Sequence, residues 1–194
     1  MPRLLKTTVL DAVLISRPIA EALQNLFELY RNEINTYLRK GGYLSPHTNR
    51  PVELAHVEIG IDPGVRKIDR FPSIAIQVTG RNISWEATHI ARESVSVDVF
   101  CCIQSPVNEQ AEKLMYDFTD VVTCILLTHQ VLPFYMEYDN DSGEPSGSLH
   151  GPSVATPSVT YGMLKSDNIK AGQISWVADV ILHHPNLMYG VAQE

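Results

Sequence analysis

An alternating pattern runs through residues 94–104, which read SVSVDVFCCIQ. Every second side chain is apolar, and this set comprises Val95, Val97, Val99, Cys101 and Ile103. The intervening positions are mainly polar, apart from Phe100 and Cys102. Because successive side chains of a strand point to opposite faces, the pattern predicts a β-strand with one buried face. Such strands are typical of antiparallel sheets that are covered on one side.

Other segments add strands to this sheet. Residues 74–79 alternate in the same way and end at Gly80, which predicts a second strand. Residues 52–61 and 158–164 are further strand candidates. Residues 173–182 are apolar on both faces. That composition predicts a strand at the centre of the sheet, or one whose second face is covered by a neighbour.

The first helix is predicted near the N-terminal end of the chain. Between Pro18 and Leu38, apolar residues recur at three- and four-residue intervals, which places them along one face of a helix. Proline is tolerated in the first turn, where its missing N–H would have no partner. We expect Gly41 and Gly42 to end the helix, because glycine accepts the left-handed backbone of a C-terminal cap.

A second and longer helix is predicted over residues 105–130. Its apolar positions again repeat with helical spacing. Val121, Cys124 and Leu126 widen the apolar arc beyond what one sheet face requires. We therefore expect this helix to contact either the first helix or another subunit.

Two segments depart from these regular elements. Residues 80–93 are a polar stretch between two predicted strands, and residues 137–157 are rich in Asp, Asn, Ser, Gly and Pro. The elements together predict a single α+β domain over residues 1–194. In this fold an antiparallel sheet packs against the N-terminal helix and the long central helix, with an extended β arm at 80–93 and an acidic loop insertion at 137–157.

Composition excludes several classes of function. The 194 residues include 15 Lys and Arg and 22 Asp and Glu, giving a net charge of −7, so nonspecific binding to nucleic acid is not expected. No apolar run has the roughly 20 residues needed to cross a bilayer, and we expect a soluble, unsecreted protein without membrane contacts. Three cysteines without metal-ligand spacing indicate a reducing compartment.

The sequence offers no recognisable catalytic arrangement. Were the protein an enzyme, the first residues to suspect would be Cys102, Asp179, His183 and His184, but no nucleophile, base and orienting group occur in a known pattern. Adjacent histidines at a strand end point to opposite faces and do not readily share a metal ion. We therefore expect no enzyme activity, no catalytic residues, no cofactor and no metal.

The acidic loop and the two tryptophans leave alternatives open. Asp139, Asp141 and Glu144 lack the glycine and terminal glutamate of an EF-hand loop, so a solvated loop is favoured over a calcium site. Trp176 fits a buried strand face. Trp85 lies in the polar segment and indicates either contact with a partner or local packing.

The order of elements resembles that of the tail terminator family of tailed bacteriophages. The segments that carry the resemblance are residues 19–38, 73–79, 94–103, 108–130 and 173–183. Proteins of this family have an N-terminal helix, an antiparallel sheet, a helix packed on it and a late C-terminal strand. The insertion at 137–157 and the arm at 80–93 depart from the commoner pattern of the family.

The resemblance implies a structural virion protein rather than an enzyme. It implies a homohexameric ring that caps the tail tube, ends its polymerisation and provides a docking face for the head or neck. The implied partners are copies of the chain itself, the tail tube protein and head–tail connector or neck proteins, with DNA passing through the lumen without specific binding. The implied location is the tail or neck of the virion, after assembly in the host cytoplasm.

Other assignments share this fold class. A head closure or tail completion protein would use the same fold and a different docking face, and an enzyme with an unrecognised pocket is a less favoured alternative. A ring requires a heterologous contact repeated around an axis. The candidate residues for contact with a subunit or partner are Arg81, Trp85, Arg92, Val121, Leu126, Tyr161, Val177 and Ile181.

Overall fold

A computed structural model describes residues 15–45, 48–60, 70–87, 90–104, 109–135, 145–151, 157–163 and 169–182. For residues 83–87, 90–92, 163 and 182 only the backbone is described. Three helices are present in these residues: α1 (Ser16–Leu29), α2 (Arg31–Lys40) and α3 (Glu109–Thr128). The strands are β1 (His56–Ile59), β2 (Ser73–Ala87), β3 (Ile90–Gln104), β4 (Val131–Phe134), β5 (Gly147–His150), β6 (Ser158–Met163) and β7 (Ile169–Leu182).

The strands form one mixed sheet, so the α+β class predicted from the sequence is confirmed. Its order is β1-β2-β3-β7-β5-β4, and β6 also pairs with β7. The prediction of a wholly antiparallel sheet is wrong at one edge, where β1 runs parallel to β2 with His56 opposite Ser73. A parallel return needs a connection of about a dozen residues, which residues 60–72 supply.

The central hairpin extends into the segment predicted as an extended β arm. Strands β2 and β3 pair antiparallel from Ser73 opposite Cys102 to Ala87 opposite Ile90. Residues 80–87 and 90–93 therefore continue the ladder of the two predicted strands. The register shifts between Val78 and Gly80, where an extra residue in β2 forms a bulge.

The main core lies between the helices and one face of the sheet, which we call the inner face. The inward set predicted for β3 is confirmed, because Val95, Val97, Val99, Cys101 and Ile103 are all buried in this core. The prediction that the opposite, outer face is uncovered is wrong at one end of the strand. There Phe100 and Cys102 are buried in a second cluster, since they lie opposite Ala75 and Ala171.

The predicted N-terminal helix is divided at Tyr30. Its backbone leaves helical geometry (φ −92°, ψ 10°), yet hydrogen bonds still cross the break from Tyr30 N–H to Leu26 and from Ile34 N–H to Tyr30. The break coincides with an edge-on contact between the rings of Tyr30 and His129. At the C-terminal end only Gly42 is left-handed, whereas Gly41 remains helical.

Helix α3 covers the inner face of β3 and β7 and also packs against α2. The buried stripe predicted for it is confirmed. The helix approaches the sheet closely at Gly172 of β7, where an added Cβ would collide with the side chain of Thr119. None of the described helices is long and apolar enough to span a bilayer.

The last third of the chain contains two strands that the sequence did not predict. Strand β4 follows α3 directly, and β5 lies within the segment 137–157 that was expected to lack regular structure. Leu149 of β5 is buried opposite Val180, which explains why this part of the segment pairs with the sheet. Residues 136–144 and 152–156, with the acidic residues Asp139, Asp141 and Glu144, lie outside the described residues.

The closing strand β7 occupies the centre of the sheet, as its two apolar faces predict. It pairs with β3 along one edge and with β6 and β5 along the other. Its inward residues Ile174, Trp176, Ala178 and Val180 are buried in the main core. Strand β6 lies at the predicted position, one residue shorter than expected.

Candidate oligomerisation surface

The outer face of the sheet is polar at its centre. Register places Asp98 of β3 between Gln77 of β2 and Ser175 of β7. The Asp98 carboxylate accepts hydrogen bonds from Thr79 Oγ1 at 3.2 Å, from Gln173 Nε2 at 3.0 Å and from Ser175 Oγ. These bonds join three strands across the outer face, and the charge of Asp98 is satisfied within the chain.

Beyond this polar centre the outer face becomes apolar and exposed. Val177 and Ile181 of β7 have 58% and 48% of their surface accessible. They lie opposite Ser96 of β3 and Ser148 of β5, on the side of the sheet away from the helices. No helix in the described part of the chain covers these two side chains. Val177 and Ile181 were predicted as contact residues, and the structure leaves both available to a partner.

The two candidates on α3 are placed differently. Val121 is half-buried and packs against the main core, whereas Leu126 is completely buried in it. Leu126 therefore offers no surface to a neighbouring copy, and its prediction as a contact residue is corrected. The wide apolar arc of α3 is explained by its packing against α2 within the same chain. Cys124, the third residue of that arc, is exposed.

Tyr161 of β6 lies on the helix side of the sheet, opposite Gly172. Its ring meets Tyr116 of α3 edge-on with the centroids 4.8 Å apart, and its hydroxyl donates to Asp120 Oδ1 at 3.4 Å. Burial and the neighbouring Asp120 carboxylate raise the pKa of Tyr161. Both tyrosine rings remain well exposed. Tyrosine is enriched at protein interfaces because its ring is large, rigid and amphipathic.

The arm candidates lie along the β2–β3 hairpin. Arg81 forms an ion pair with Glu93, whose Oε2 accepts from Arg81 Nη2 at 2.9 Å. The Glu93 side chain is fully buried, while that of Arg81 is 19% exposed. For Trp85 and Arg92 the structure places only the backbone, with Trp85 opposite Ala91 and Arg92 opposite Ser84. The ion pair lies where the hairpin passes the end of the main core, and there it fixes which face of the hairpin points toward the helices.

The residues suspected of catalysis are not assembled into one site. Burial and the charge of Glu58 raise the pKa of Cys102 to about 12, which keeps its thiol protonated and unreactive near neutral pH. The residue opposite Cys102 in β7 is Ala171, and Asp179 lies eight residues further along that strand, roughly 26 Å away. His183 and His184 lie outside the described residues.

No group of His, Cys, Asp or Glu in the described part of the chain could hold a metal ion. Cys101 is fully buried, and burial raises the pKa of its thiol. Of the histidines, His56 lies 3.7 Å from Glu58, and the ring of His129 contacts the hydroxyl of Tyr30 at 3.1 Å. The first contact lies within β1 and the second joins the break between α1 and α2 to the end of α3, and we find no chemistry that they would serve.

Sequence reasoning missed two features of this surface. The partners of Asp98 come from two other strands, β2 and β7, and only the register between strands brings them together. The contact between Tyr116 and Tyr161 likewise depends on α3 lying over β6. A usable signal was Gly172, because a glycine inside a strand marks a close approach of another element.

Comparison with known proteins adds no family assignment. Neither a protein-family model nor a curated protein sequence matches this chain.

Proposed function

We propose that this protein is a structural subunit that assembles with copies of itself into a ring of the tail-terminator type. In this role it caps the tail tube, ends its polymerisation and offers its other side to the head or neck. The observation that carries the proposal is the exposure of Val177 and Ile181 on a sheet face that no described helix covers. The finer architecture, an extended β arm and a loop insertion added to a helix-packed sheet, belongs to the same proposal.

Energetic considerations support self-association. Fully burying a valine or isoleucine side chain contributes about 1.5–3 kcal/mol, so two half-exposed side chains provide on the order of 2–3 kcal/mol for each contact. This gain is too small to hold a dimer against the entropy lost on association. A closed ring repeats the same contact at every boundary, and the last subunit to join forms two contacts at once.

The charge of the chain supports a lumen through which DNA passes. A net charge of −7 for each copy repels the phosphate backbone. DNA in a narrow channel therefore does not adhere to a wall of this charge. A basic ring of the same size would retain the DNA.

Substitution of the exposed residues tests the proposal. We expect the purified wild-type protein to elute as an oligomer in size-exclusion chromatography with light scattering, and Val177→Asp or Ile181→Asp to shift it to monomer, because each places a charge in an apolar contact. Leu29→Asp is the matched control, since Leu29 is 73% exposed but lies on α1. If Val177→Asp and Ile181→Asp assemble like the wild type, these side chains do not form the contact.

A second experiment tests the terminator role itself. Added to a tail tube protein that polymerises in vitro, the wild-type ring should shorten the tubes seen by electron microscopy. If the rings leave tube length unchanged, the protein is not a terminator, and the alternative of a head closure or tail completion protein takes its place.

A further inference from the structure

The edges of the sheet differ in how they are protected. Near β1, side chains of the helices satisfy the backbone of residues 54–57. Gln24 Nε2 donates to the Val57 carbonyl at 2.8 Å, and Asn35 Oδ1 accepts from the Leu54 N–H at 2.7 Å. Arg31 donates to the Leu54 carbonyl as well. This part of the sheet is closed by contacts within the chain.

Strand β4, at the opposite end of the strand order, is protected by proline. Pro133 lies in the middle of this four-residue strand and opposite Ser148 of β5. Proline has no N–H to donate, and natural sheets use it on edge strands to prevent the addition of a further strand. We therefore do not expect β4 to pair with another chain.

Strand β6 carries no such protection. Its sequence, SVTYGM, has neither a charged residue nor a proline, and residues 158–162 are all exposed. Among the described residues β6 pairs only with β7, so its other edge meets no described strand. An uncharged edge with unpaired backbone groups is a template for strand addition.

A second unprotected edge lies on the far side of the sheet. Strand β1 pairs with β2 only from Ser73 to Ile76. Past that point no described strand flanks residues 77–82 of β2, which read QVTGRN. The single charge in this stretch belongs to Arg81, which is paired with Glu93 on the inner face.

The directions of the strands allow these two edges to meet. Across the sheet, β2, β3, β7 and β6 alternate in direction, because each neighbouring pair is antiparallel. Because these four strands alternate and their number is even, β2 and β6 run in opposite directions within one copy. Rotation about a ring axis keeps these directions, so β6 of one copy lies antiparallel to β2 of the next. We infer that β6 of one copy pairs with residues 77–82 of β2 in the next, so that the sheet continues across the boundary. This inference rests on the proposed ring.

The geometry of the pairing follows from the register. In one copy, β6 lies level with the beginning of β2, where β1 is paired, so neighbouring copies must be staggered along the strands. The pleat requires an even stagger to keep the inner faces together. A stagger of four brings residues 158–162 alongside residues 77–82, and a stagger of six brings them alongside residues 80–84. A stagger of four or six residues displaces neighbouring copies by about 13–20 Å along the strands. The four strands of one copy are together about 19 Å wide, so this displacement tilts the strands by roughly 35–45° from the ring axis, which is the tilt of closed barrels.

The stagger is also compatible with the strands that flank the two edges. A stagger of six moves the neighbour's β1 past the end of β6, and the last paired residues of the neighbour's hairpin then stop short of β4, which flanks β5. The backbone at the end of that hairpin then lies level with Val177, one of the exposed residues of the outer face. The sheet-edge contact and the exposed apolar residues therefore belong to one boundary between copies.

Disulfide trapping tests this inference. In a Cys124→Ser background, which removes the exposed thiol, Asn82→Cys is combined with Thr160→Cys for a stagger of six or with Ser158→Cys for a stagger of four. Within one copy these positions lie at opposite edges of the sheet and about 20–25 Å apart, far beyond the roughly 7 Å that a disulfide bridges. Oxidation should therefore join different copies, in a ladder of species that a reducing agent reverses.

The control replaces Asn82→Cys by Ser94→Cys. Ser94 lies opposite Asn82 but one strand further from the edge, so the same ladder should not form. If native mass spectrometry finds the oligomer under reducing conditions but neither Asn82 pair cross-links, the inference is wrong and the proposed function stands. If the reduced wild-type protein forms no oligomer, both are wrong.

Discussion

At the scale of single residues, the buried ion pair between Arg81 and Glu93 is the most consequential contact in the hairpin. The Glu93 carboxylate is fully buried, and the guanidinium of Arg81 compensates its charge. The pair lies on the inner face just after the bulge, where β2 is about to leave the main core. It therefore fixes which face of the hairpin points toward the helices.

Substitution of one partner should destabilise the protein. Glu93→Gln leaves the guanidinium of Arg81 without its carboxylate in a largely buried position, and we expect the free energy of unfolding to fall by about 2–4 kcal/mol in urea denaturation. The control is Glu21→Gln, which removes an exposed pair with Arg17 on α1 and should cost less than about 0.5 kcal/mol. Equal losses in the two variants would contradict the role assigned to burial.

At the scale of elements, the sequence predicts what depends on local periodicity. The inward set of β3, the apolar stripe of α3 and the central position of β7 all follow from spacing of two or of three to four residues. The parallel pairing of β1 and the strand β5 could not be predicted, because each depends on a distant partner: Ile74 and its neighbours for β1, and Val180 for β5. Of the predicted contact residues, Val177 and Ile181 are exposed, whereas Leu126 is buried in the main core, which its spacing along α3 did not reveal.

The packing of α3 on the sheet is set by one glycine. Gly172→Ala adds a Cβ that collides with Thr119 of α3, and we expect it to lower the free energy of unfolding by about 1–3 kcal/mol. Thr119→Ala in the same chain should restore part of that loss. Gly162→Ala is the control, because its added Cβ meets no atom within 4 Å. A similar loss at both glycines, measured by chemical denaturation, would show that the contact with α3 is not responsible.

At the scale of the whole molecule, the sheet is covered asymmetrically. The helices cover the inner face, two edges are closed by side chains or by proline, and two edges together with part of the outer face stay open in the described chain. A chain with this arrangement folds as one unit, and a copy related by rotation can cover the edges and the outer-face residues that remain open. The proposed function depends on these open edges and exposed outer-face residues.

Native mass spectrometry of the wild-type protein, over a range of concentrations, tests that dependence most directly. We expect one dominant closed assembly, with a mass six times that of the chain, in place of a continuous series of oligomers. A protein that remains monomeric at every concentration would contradict the account, because its open edges and exposed apolar residues would then have no copy to pair with.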